Sequence, residues 1–252
     1  MQQILSASKT VFAFITILFV MNSTYNKAQN VSNTNNENVT ARLIRYEVRP
    51  DYNKAFREAM STYVLHSLNS ENNIMSEAYY EQDTTAVLWL MERWNGKSDL
   101  DKSHESVAYK AIQSLSENAL VQPATIMYVQ DLEPLTKQQW RRLPGKEDSP
   151  LTIMLFVDAK AGTENQFKDV YHKAMPQFRS EAGVINYQLS QLETDSTRFV
   201  TYEKFRDEDA FQYHLEFPPV QPVIDYLNTS VKQQPFQSGL HRLIEFAPVK
   251  RE

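Results

Sequence analysis

The stretch that decides the fold is Phe199–His214, with the sequence FVTYEKFRDEDAFQYH. An alternating apolar run is followed by an acidic turn and then by apolar residues at helical spacing. This pattern predicts a strand, a turn and an amphipathic helix. A looser version, AVLWLMERWNGKSDLDKSH, lies upstream at Ala86–His104. The chain therefore contains two copies of one unit, each with a glutamate late in the strand and a histidine in the segment that follows.

The two copies keep a nearly constant spacing, because Glu92 and Glu203 are 111 positions apart and His104 and His214 are 110 apart. Around each pair, hydrophobic periodicity predicts the order β-α-β-β-α-β, the ferredoxin-like arrangement. The predicted strands are Ala41–Arg49, Ile74–Glu81, Ala86–Arg93, Ala124–Leu132, Leu151–Val157, Val184–Leu192, Arg198–Phe205 and Leu240–Phe246. The predicted helices are Tyr52–Leu68, a broken helix over Ser98–Leu120, a helix after Thr163 that carries Phe167 and Phe178, and a helix from Asp207 that Pro218 and Pro219 interrupt before Val220–Val231.

The strands also predict how the two units pack. The run Ala86–Arg93 is apolar on both faces, whereas helices cover only one face of a four-stranded sheet. The other face must be buried, and the second copy in the same chain is the natural partner. The predicted fold class is therefore α+β, with two ferredoxin-like (βαββαβ) units packed sheet to sheet as a dimer within one chain. Neither half is expected to be soluble alone.

Composition divides the chain before and between the two copies. Lys9 and the apolar run Val11–Met21 are typical of a signal peptide, and the run is short for a membrane span. Cleavage after Ala28 is expected, and an uncleaved anchor is the alternative. The protein is thus expected to be exported, as a periplasmic or secreted protein. The predicted divisions are a signal peptide at 1–28, a flexible Asn-rich leader at 29–40, a first domain at 41–132, a linker at 133–150 and a second domain at 151–249.

The charge and cysteine content exclude several classes of function. The 252-residue chain has a formal net charge of −5 and no cysteine. It therefore lacks disulfides, thiolate nucleophiles, cysteine metal ligands and the modified cysteine of a lipoprotein. No basic stripe is present, which disfavours nucleic acid and anionic membrane surfaces as partners. His66, His172 and His241 have no ligand-like spacing, so no metal site is predicted.

Several residues of the second copy form a recognisable local pattern. They are the turn Glu181–Gly183, then Tyr187, then the strand end Tyr202–Phe205 and the acidic turn and helix Asp207–His214. In this pattern the chain resembles the antibiotic biosynthesis monooxygenase (ABM) domain of the dimeric α/β-barrel superfamily, which includes quinol monooxygenases. The resemblance covers Leu151–Val249 well and Ala41–Glu133 more weakly. It implies that the two sheets form one barrel.

The two copies depart from the family pattern in different ways. The first copy has Asn72 and Asn73 where the second has the turn glycine, and its His104 is offset by one residue. In the second copy, Pro219 stands where many family members carry a second histidine.

The resemblance implies a monooxygenase that needs neither a metal nor a flavin as cofactor. An electron-rich phenol or quinol loses a proton and then reduces O₂ itself, so the protein binds the ring, takes the proton and stabilises the anion. The residues that the resemblance implies as catalytic are Glu203 and His214, with Glu92 and His104 in the first copy. Those implied as substrate-binding are Tyr187, Tyr202 and Phe205, with Tyr79 and Trp94 in the first copy.

Structural roles are open for the same side chains. Glu203 has Lys204 and Arg206 as possible ion-pair partners, and it precedes a helix whose N-terminus it could bind. His214 lies among apolar residues, as a packed and hydrogen-bonded histidine would. Aromatic residues on strands, here Tyr187 and Tyr202, are commonly core residues.

Three functions follow from these alternatives. The first is an exported, cofactor-independent monooxygenase that oxidises a small quinol- or phenol-like molecule with O₂. The second is a non-catalytic barrel that binds a small hydrophobic ligand, which the weaker first copy favours. The third is a haem-binding or haem-degrading relative. Association beyond the dimer within the chain is open.

Overall fold

The structure is a computed structural model that describes residues 39–248. The predicted signal peptide and nearly all of the predicted leader lie outside the described residues. Among those residues, no helix is long and apolar enough to cross a membrane.

The first half has its elements in the predicted order. Its strands are β1 (Thr40–Glu47), β2 (Asn73–Glu81), β3 (Val87–Trp94) and β4 (Thr125–Leu132), and its helices are α1 (Asn53–Leu68), α2 (Lys97–His104) and α3 (Val107–Ala119). The predicted break in the second helix falls between α2 and α3. Ser106 causes it locally, because its side chain accepts a hydrogen bond from the backbone N–H of Tyr109 and so caps a new helix.

The second half repeats this order after a linker. A short helix α4 (Lys137–Trp140) lies in the linker, and the half itself consists of β5 (Leu151–Asp158), α5 (Glu164–Phe178), β6 (Val184–Leu192), β7 (Arg198–Phe205), α6 (Glu208–Glu216), α7 (Gln221–Thr229), a short helix α8 (Pro235–Ser238) and β8 (Leu240–Ala247). The predicted proline interruption is a single 3₁₀ turn, Pro218–Val220, between α6 and α7.

Gly183 is needed because of a close contact with a neighbouring helix and not because of a left-handed backbone conformation. Its backbone does not have a positive φ; Gly162 is the glycine that does, among the described residues. A Cβ atom at Gly183 would lie 2.5 Å from the Cβ of Ala210. The glycine therefore allows the turn before β6 to lie directly against α6, the helix that carries His214.

The eight strands form one closed antiparallel barrel. The first half orders its strands β4-β1-β3-β2 and the second half β6-β7-β5-β8. Strand β2 pairs with β8, and β4 pairs with β6, so both edges of each sheet are joined to the other half. The predicted packing of the two sheets within one chain is confirmed. Closure also removes the unpaired edges that invite aggregation.

Strand alternation divides every strand between two environments. On β3, Leu88 and Leu90 pack against the helices of the first half, whereas Trp89 and Met91 face the barrel interior. The second half has its own helix-side core, which includes Tyr187 and Phe205. The molecule thus has an interior core and two helix-side cores.

The linker takes part in the interior core. A capping box at Thr136 starts α4, and Trp140 at its end is 1% exposed. The guanidinium of Arg93 lies 3.9 Å from the Trp140 ring centroid, and the Tyr202 ring lies 5.2 Å away. Trp140 of the linker is therefore packed into the interior core, whereas Leu143, three residues later, is 62% exposed.

Candidate functional site

Glu203 lies on the helix side of β7 and is 5% exposed. In the sheet register it stands between Ile153 of β5 and Tyr187 of β6. The hydroxyl groups of Tyr187 and Thr201 donate hydrogen bonds to Oε1, at 3.0 and 2.6 Å. Within residues 39–248, Oε2 accepts no hydrogen bond. Glu203 thus combines a fixed carboxylate with one oxygen that is open to a further partner.

The pKa of Glu203 is raised above its ordinary value. Burial is the main cause, because an apolar environment disfavours the charged carboxylate. The His214 ring and the two hydroxyl donors oppose this shift without cancelling it. A carboxylate with a raised pKa is a stronger base, so the environment suits Glu203 for taking a proton.

His214 reaches the same side of the sheet from α6. Its Nδ1 lies 2.8 Å from Oε1 of Glu181, and both side chains are buried. The ring packs against Phe178, Tyr187 and Phe205, with centroids 4.8, 5.4 and 5.3 Å away. Since a carboxylate only accepts hydrogen bonds, Glu181 fixes the ring with Nδ1–H as donor. His214 is therefore the packed, hydrogen-bonded histidine of the structural alternative, yet it is also next to Glu203.

A cavity of about 40 Å³ lies between the sheet and the helices of the second half. Glu203 and His214 both line it, together with Tyr187 and Ile153. Most of its remaining wall is apolar and comes from α5, α6, α7 and α8. The structure therefore brings the predicted carboxylate, histidine and one predicted tyrosine to a single cavity.

The first half has a glutamate in the corresponding place but a different surrounding. Glu92 stands opposite Arg42 in the register of β1 and β3, and Arg42 Nε donates to Glu92 Oε2 at 2.7 Å. The hydroxyl of Tyr63 and the indole N–H of Trp94 donate to Oε1 at 2.6 and 3.2 Å. Both carboxylate oxygens of Glu92 are thus occupied within a buried cluster.

Arg42 keeps its charge in this cluster. Burial alone would lower the pKa of Arg42, but the adjacent Glu92 carboxylate raises it above the ordinary value. His104 lies close by, stacked on Tyr109 with ring centroids 4.1 Å apart. Burial and the Arg42 charge lower the pKa of His104 to about 4, so it is neutral at pH 7. His104 and Glu92 therefore flank an arginine rather than a cavity.

The structure separates Tyr202 and Tyr79 from both glutamates. Tyr202 precedes Glu203 on β7, and neighbouring residues of a strand point to opposite faces. Tyr202 and Tyr79 accordingly lie in the interior core, where their hydroxyls are 2.9 Å apart. The structure therefore contradicts the prediction that Tyr202 and Tyr79 line the same pockets as the two glutamates, because both tyrosines face the barrel interior.

The other two predicted aromatic residues lie on the helix side. Phe205 supports the ring of His214, and Trp94 donates to Glu92. Among the described residues, Glu203 has neither the ion-pair partner nor the helix N-terminus that its structural alternatives require. Lys204 pairs with Glu77 and Glu245 in the barrel interior, and Arg206 pairs with Asp148. Within the described part of the chain, no group of three His, Asp or Glu side chains is arranged to hold a metal ion.

Sequence reasoning missed three residues that set the chemistry of these sites. The sequence predicts Glu181 only as part of a turn. Its contact with His214 arises because the turn before β6 packs against α6. Arg42 and Ile153 were considered only as strand residues. A signal was available for this pair, since they are 111 positions apart, like the two glutamates.

Comparison with known protein families shows the family of this chain. A family model described as "Antibiotic biosynthesis monooxygenase" matches residues 41–115 and 150–224. The chain belongs to the antibiotic biosynthesis monooxygenase family. Each matched range contains one of the two glutamates and one of the two histidines, so the family match covers both versions of the site.

Solved structures share the fold of this tandem family member over most of its length. A protein from Lactobacillus acidophilus NCFM has a TM-score of 0.69 at 11% identity, covering 83% of this chain and 94% of that chain. One from Fusobacterium nucleatum has a TM-score of 0.69 at 12% identity, covering 82% and 92%. Both are described as a "putative monooxygenase". An anthrone oxidase-like protein has a TM-score of 0.57 at 11% identity, covering 86% and 97%. A comparison with curated proteins gives no match.

Proposed function

We propose that the second half holds a cofactor-independent monooxygenase site that oxidises a small quinol- or phenol-like molecule with O₂. The observation that carries the proposal is the buried Glu203 carboxylate, with a raised pKa and a free Oε2, in a cavity that it shares with His214. Family membership and the anthrone oxidase-like neighbour support this class of reaction.

Glu203 is the proton acceptor in this proposal. Removing a proton from an electron-rich ring system gives an anion, and this anion transfers electrons to O₂. For a quinol with a ring C–H, the quinol and O₂ give a hydroxyquinone and H₂O. The substrate itself supplies all four electrons, two from the quinol oxygens and two from the ring carbon. Tyr187 and Thr201 hold the carboxylate in place through their hydrogen bonds to Oε1. His214, held by Glu181, faces the same cavity, and with a second proton on Nε2 its ring stabilises the negative charge that develops on oxygen.

Substrate entry requires the cavity to widen. Its volume of about 40 Å³ holds a few water molecules, whereas an apolar cavity that binds benzene measures about 150 Å³. The edge of the cavity contains two half-exposed apolar side chains, Leu215 of α6 and Phe236 of α8. Movement of these two helices away from the sheet would open the site, and the Pro218–Val220 turn after α6 is a natural hinge.

The direct test is oxygen uptake by the purified protein in the presence of menadiol. The wild type is expected to consume O₂ above the rate of menadiol autoxidation. Glu203→Gln keeps the shape of the side chain but cannot take the proton, and it should lower the enzymatic rate by a factor of about 10² to 10⁴. Glu58→Gln is the matched control, because Glu58 is exposed on α1. Uptake no faster than autoxidation, or equal rates for wild type and Glu203→Gln, would refute the proposal.

Two further measurements separate the alternative functions. A ligand-dependent rise in melting temperature without O₂ uptake would favour a non-catalytic binding protein. Titration with haem should leave the visible spectrum as a simple sum of the components, and a new absorption band would favour a haem-binding relative.

We also propose that the protein is exported. The support is the sequence of residues 1–28, with its apolar run and the polar residues that follow. Cell fractionation with an antibody against the second half is expected to find the protein outside the cytoplasm. Recovery in the cytoplasmic fraction would contradict export.

A further inference from the structure

A second, larger cavity of about 200 Å³ lies at the junction of both halves and the linker. It shares no lining residue with the Glu203 cavity. Its walls are mainly apolar and come from the end of α1, from β2 and from the linker after α4. Leu65 and Leu143 lie at its edge and are 45% and 62% exposed. A cavity of this size with apolar walls and a few polar groups is typical of a small-molecule site.

The floor of this cavity is a buried ion cluster formed across the two halves. Lys204 of β7 lies 3.0 Å from Glu77 of β2 and 2.6 Å from Glu245 of β8. Tyr79 and Tyr202 also donate hydrogen bonds to Glu77. Two carboxylates thus surround one ammonium group at the floor. Because the Lys204 ammonium already binds both of them, an anionic group of a ligand is disfavoured at this end.

The outer edge of the cavity is positively charged. Arg141 donates to the backbone carbonyls of Ile74 and Asn73 at 3.0 and 2.8 Å, and these acceptors are neutral. Arg142 is exposed. Within residues 39–248, neither arginine has a carboxylate within 4.0 Å. The edge therefore has two positive charges that no acidic group of the described chain balances.

We propose that this cavity binds a small amphipathic carboxylate, with its hydrocarbon part against the apolar walls and its carboxylate at Arg141 and Arg142. The walls match the hydrocarbon part, the outer arginines match the charge, and the two carboxylates at the floor fix the direction of binding. The site needs the linker, because Trp140, Leu143 and both arginines belong to it. It is consequently a property of the tandem chain and not of either half.

The test is calorimetric titration of the full chain with octanoate at pH 7.5. Saturable binding of one octanoate per chain is expected. Arg142→Gln should weaken it by a factor of about five to ten, since one charge-assisted contact is lost. Leu143→Ala should weaken it by a factor of about three through loss of an apolar wall. Arg49→Gln, at an exposed arginine outside the cavity, should leave it unchanged.

Two further ligands test the chemistry of the site. Octan-1-ol has the same chain without the charge and should bind at least about fivefold more weakly than octanoate. Octylammonium carries the opposite charge, which the positive edge repels, so Arg142→Gln should not weaken its binding. No saturable octanoate binding, equal affinity of wild type and Arg142→Gln, or octan-1-ol binding as tightly as octanoate would each overturn the proposal. None of these results bears on the Glu203 site.

Discussion

The two halves of the barrel place the same side chain in the same position and give it opposite surroundings. Glu92 and Glu203 lie late on equivalent strands, on the helix side of the sheet. Across the ladder, Glu92 meets Arg42 and Glu203 meets Ile153. The first carboxylate is closed into an ion pair, and the second faces a cavity. The residue opposite on the neighbouring strand, Arg42 or Ile153, therefore distinguishes a paired glutamate from one that faces a cavity.

The surroundings of the two histidines differ in the same way as those of the two glutamates. His214 is held by the Glu181 carboxylate and lines the cavity with Glu203. His104 stacks on Tyr109 beside the Arg42 charge, which helps to lower its pKa to about 4. The comparison teaches that a duplicated fold can keep both residue types while giving them a shared cavity in one copy and an arginine neighbour in the other.

The largest expected effect comes from giving the second half the ion pair of the first. Ile153→Arg places a guanidinium opposite Glu203 and fills the cavity. The menadiol-dependent O₂ uptake should then fall by a factor of about 10² to 10⁴, as when the base is removed. Ile153→Met, which keeps an apolar side chain of similar volume, should retain most of the activity. Circular dichroism checks that both variants fold, and full activity of a folded Ile153→Arg protein would contradict the comparison.

The reverse change should destabilise the first half. Arg42→Ile leaves the buried Glu92 carboxylate without its cation, which costs about 3–5 kcal/mol of unfolding free energy. Urea denaturation measures this loss. The double variant Arg42→Ile with Glu92→Gln should recover most of it, because an amide still accepts from Tyr63 and Trp94 without a charge. Equal stability of the single and double variants would show that the ion pair is unimportant.

The smallest expected effect concerns pH. The folded-state pKa of His104 lies near 4, below the ordinary 6.5, so the folded protein binds fewer protons than the unfolded chain between these values. His104 therefore contributes stability above pH 6.5 that is lost as the pH falls towards 4. Because the ring is only half-buried, the loss is about 1 kcal/mol. Between pH 7 and 4 the stability of the wild type should therefore fall by about 1 kcal/mol more than that of His104→Gln, and parallel curves would contradict this assignment.

Much of this fold could be predicted from the sequence, because helices and strands leave different periods of apolar residues. The break near Ser106 and the interruption at Pro218 follow from local chemistry. The packing of the two sheets follows from strands such as Ala86–Arg93 that are apolar on both faces, and their closure into one barrel is what the family resemblance implies. The sequence also indicates a turn at Gly183. The need for glycine there comes from the close contact with Ala210 of α6, which is a tertiary contact that the local sequence does not reveal.

The sites could be predicted only in part. Glu203 and His214 were found because they belong to a local motif. The pairing of Arg42 with Glu92 depends on the register between β1 and β3, which hydrophobic pattern alone does not give. The contact of Glu181 with His214 joins a turn to a helix across tertiary structure. By contrast, simple alternation from Glu203 would already have turned Tyr202 towards the barrel interior.

The most direct test of the central claim is the titration of the Glu203 carboxyl group, followed by NMR of its side-chain carbon. Spectra of the wild type and of Glu203→Gln identify the signal, because it is absent from the variant. Burial in the apolar cavity predicts a titration midpoint above the ordinary value of 4.5. A midpoint at or below 4.5 would contradict the account, since Glu203 would then be a stabilised anion like a surface carboxylate and not a base held in an apolar site.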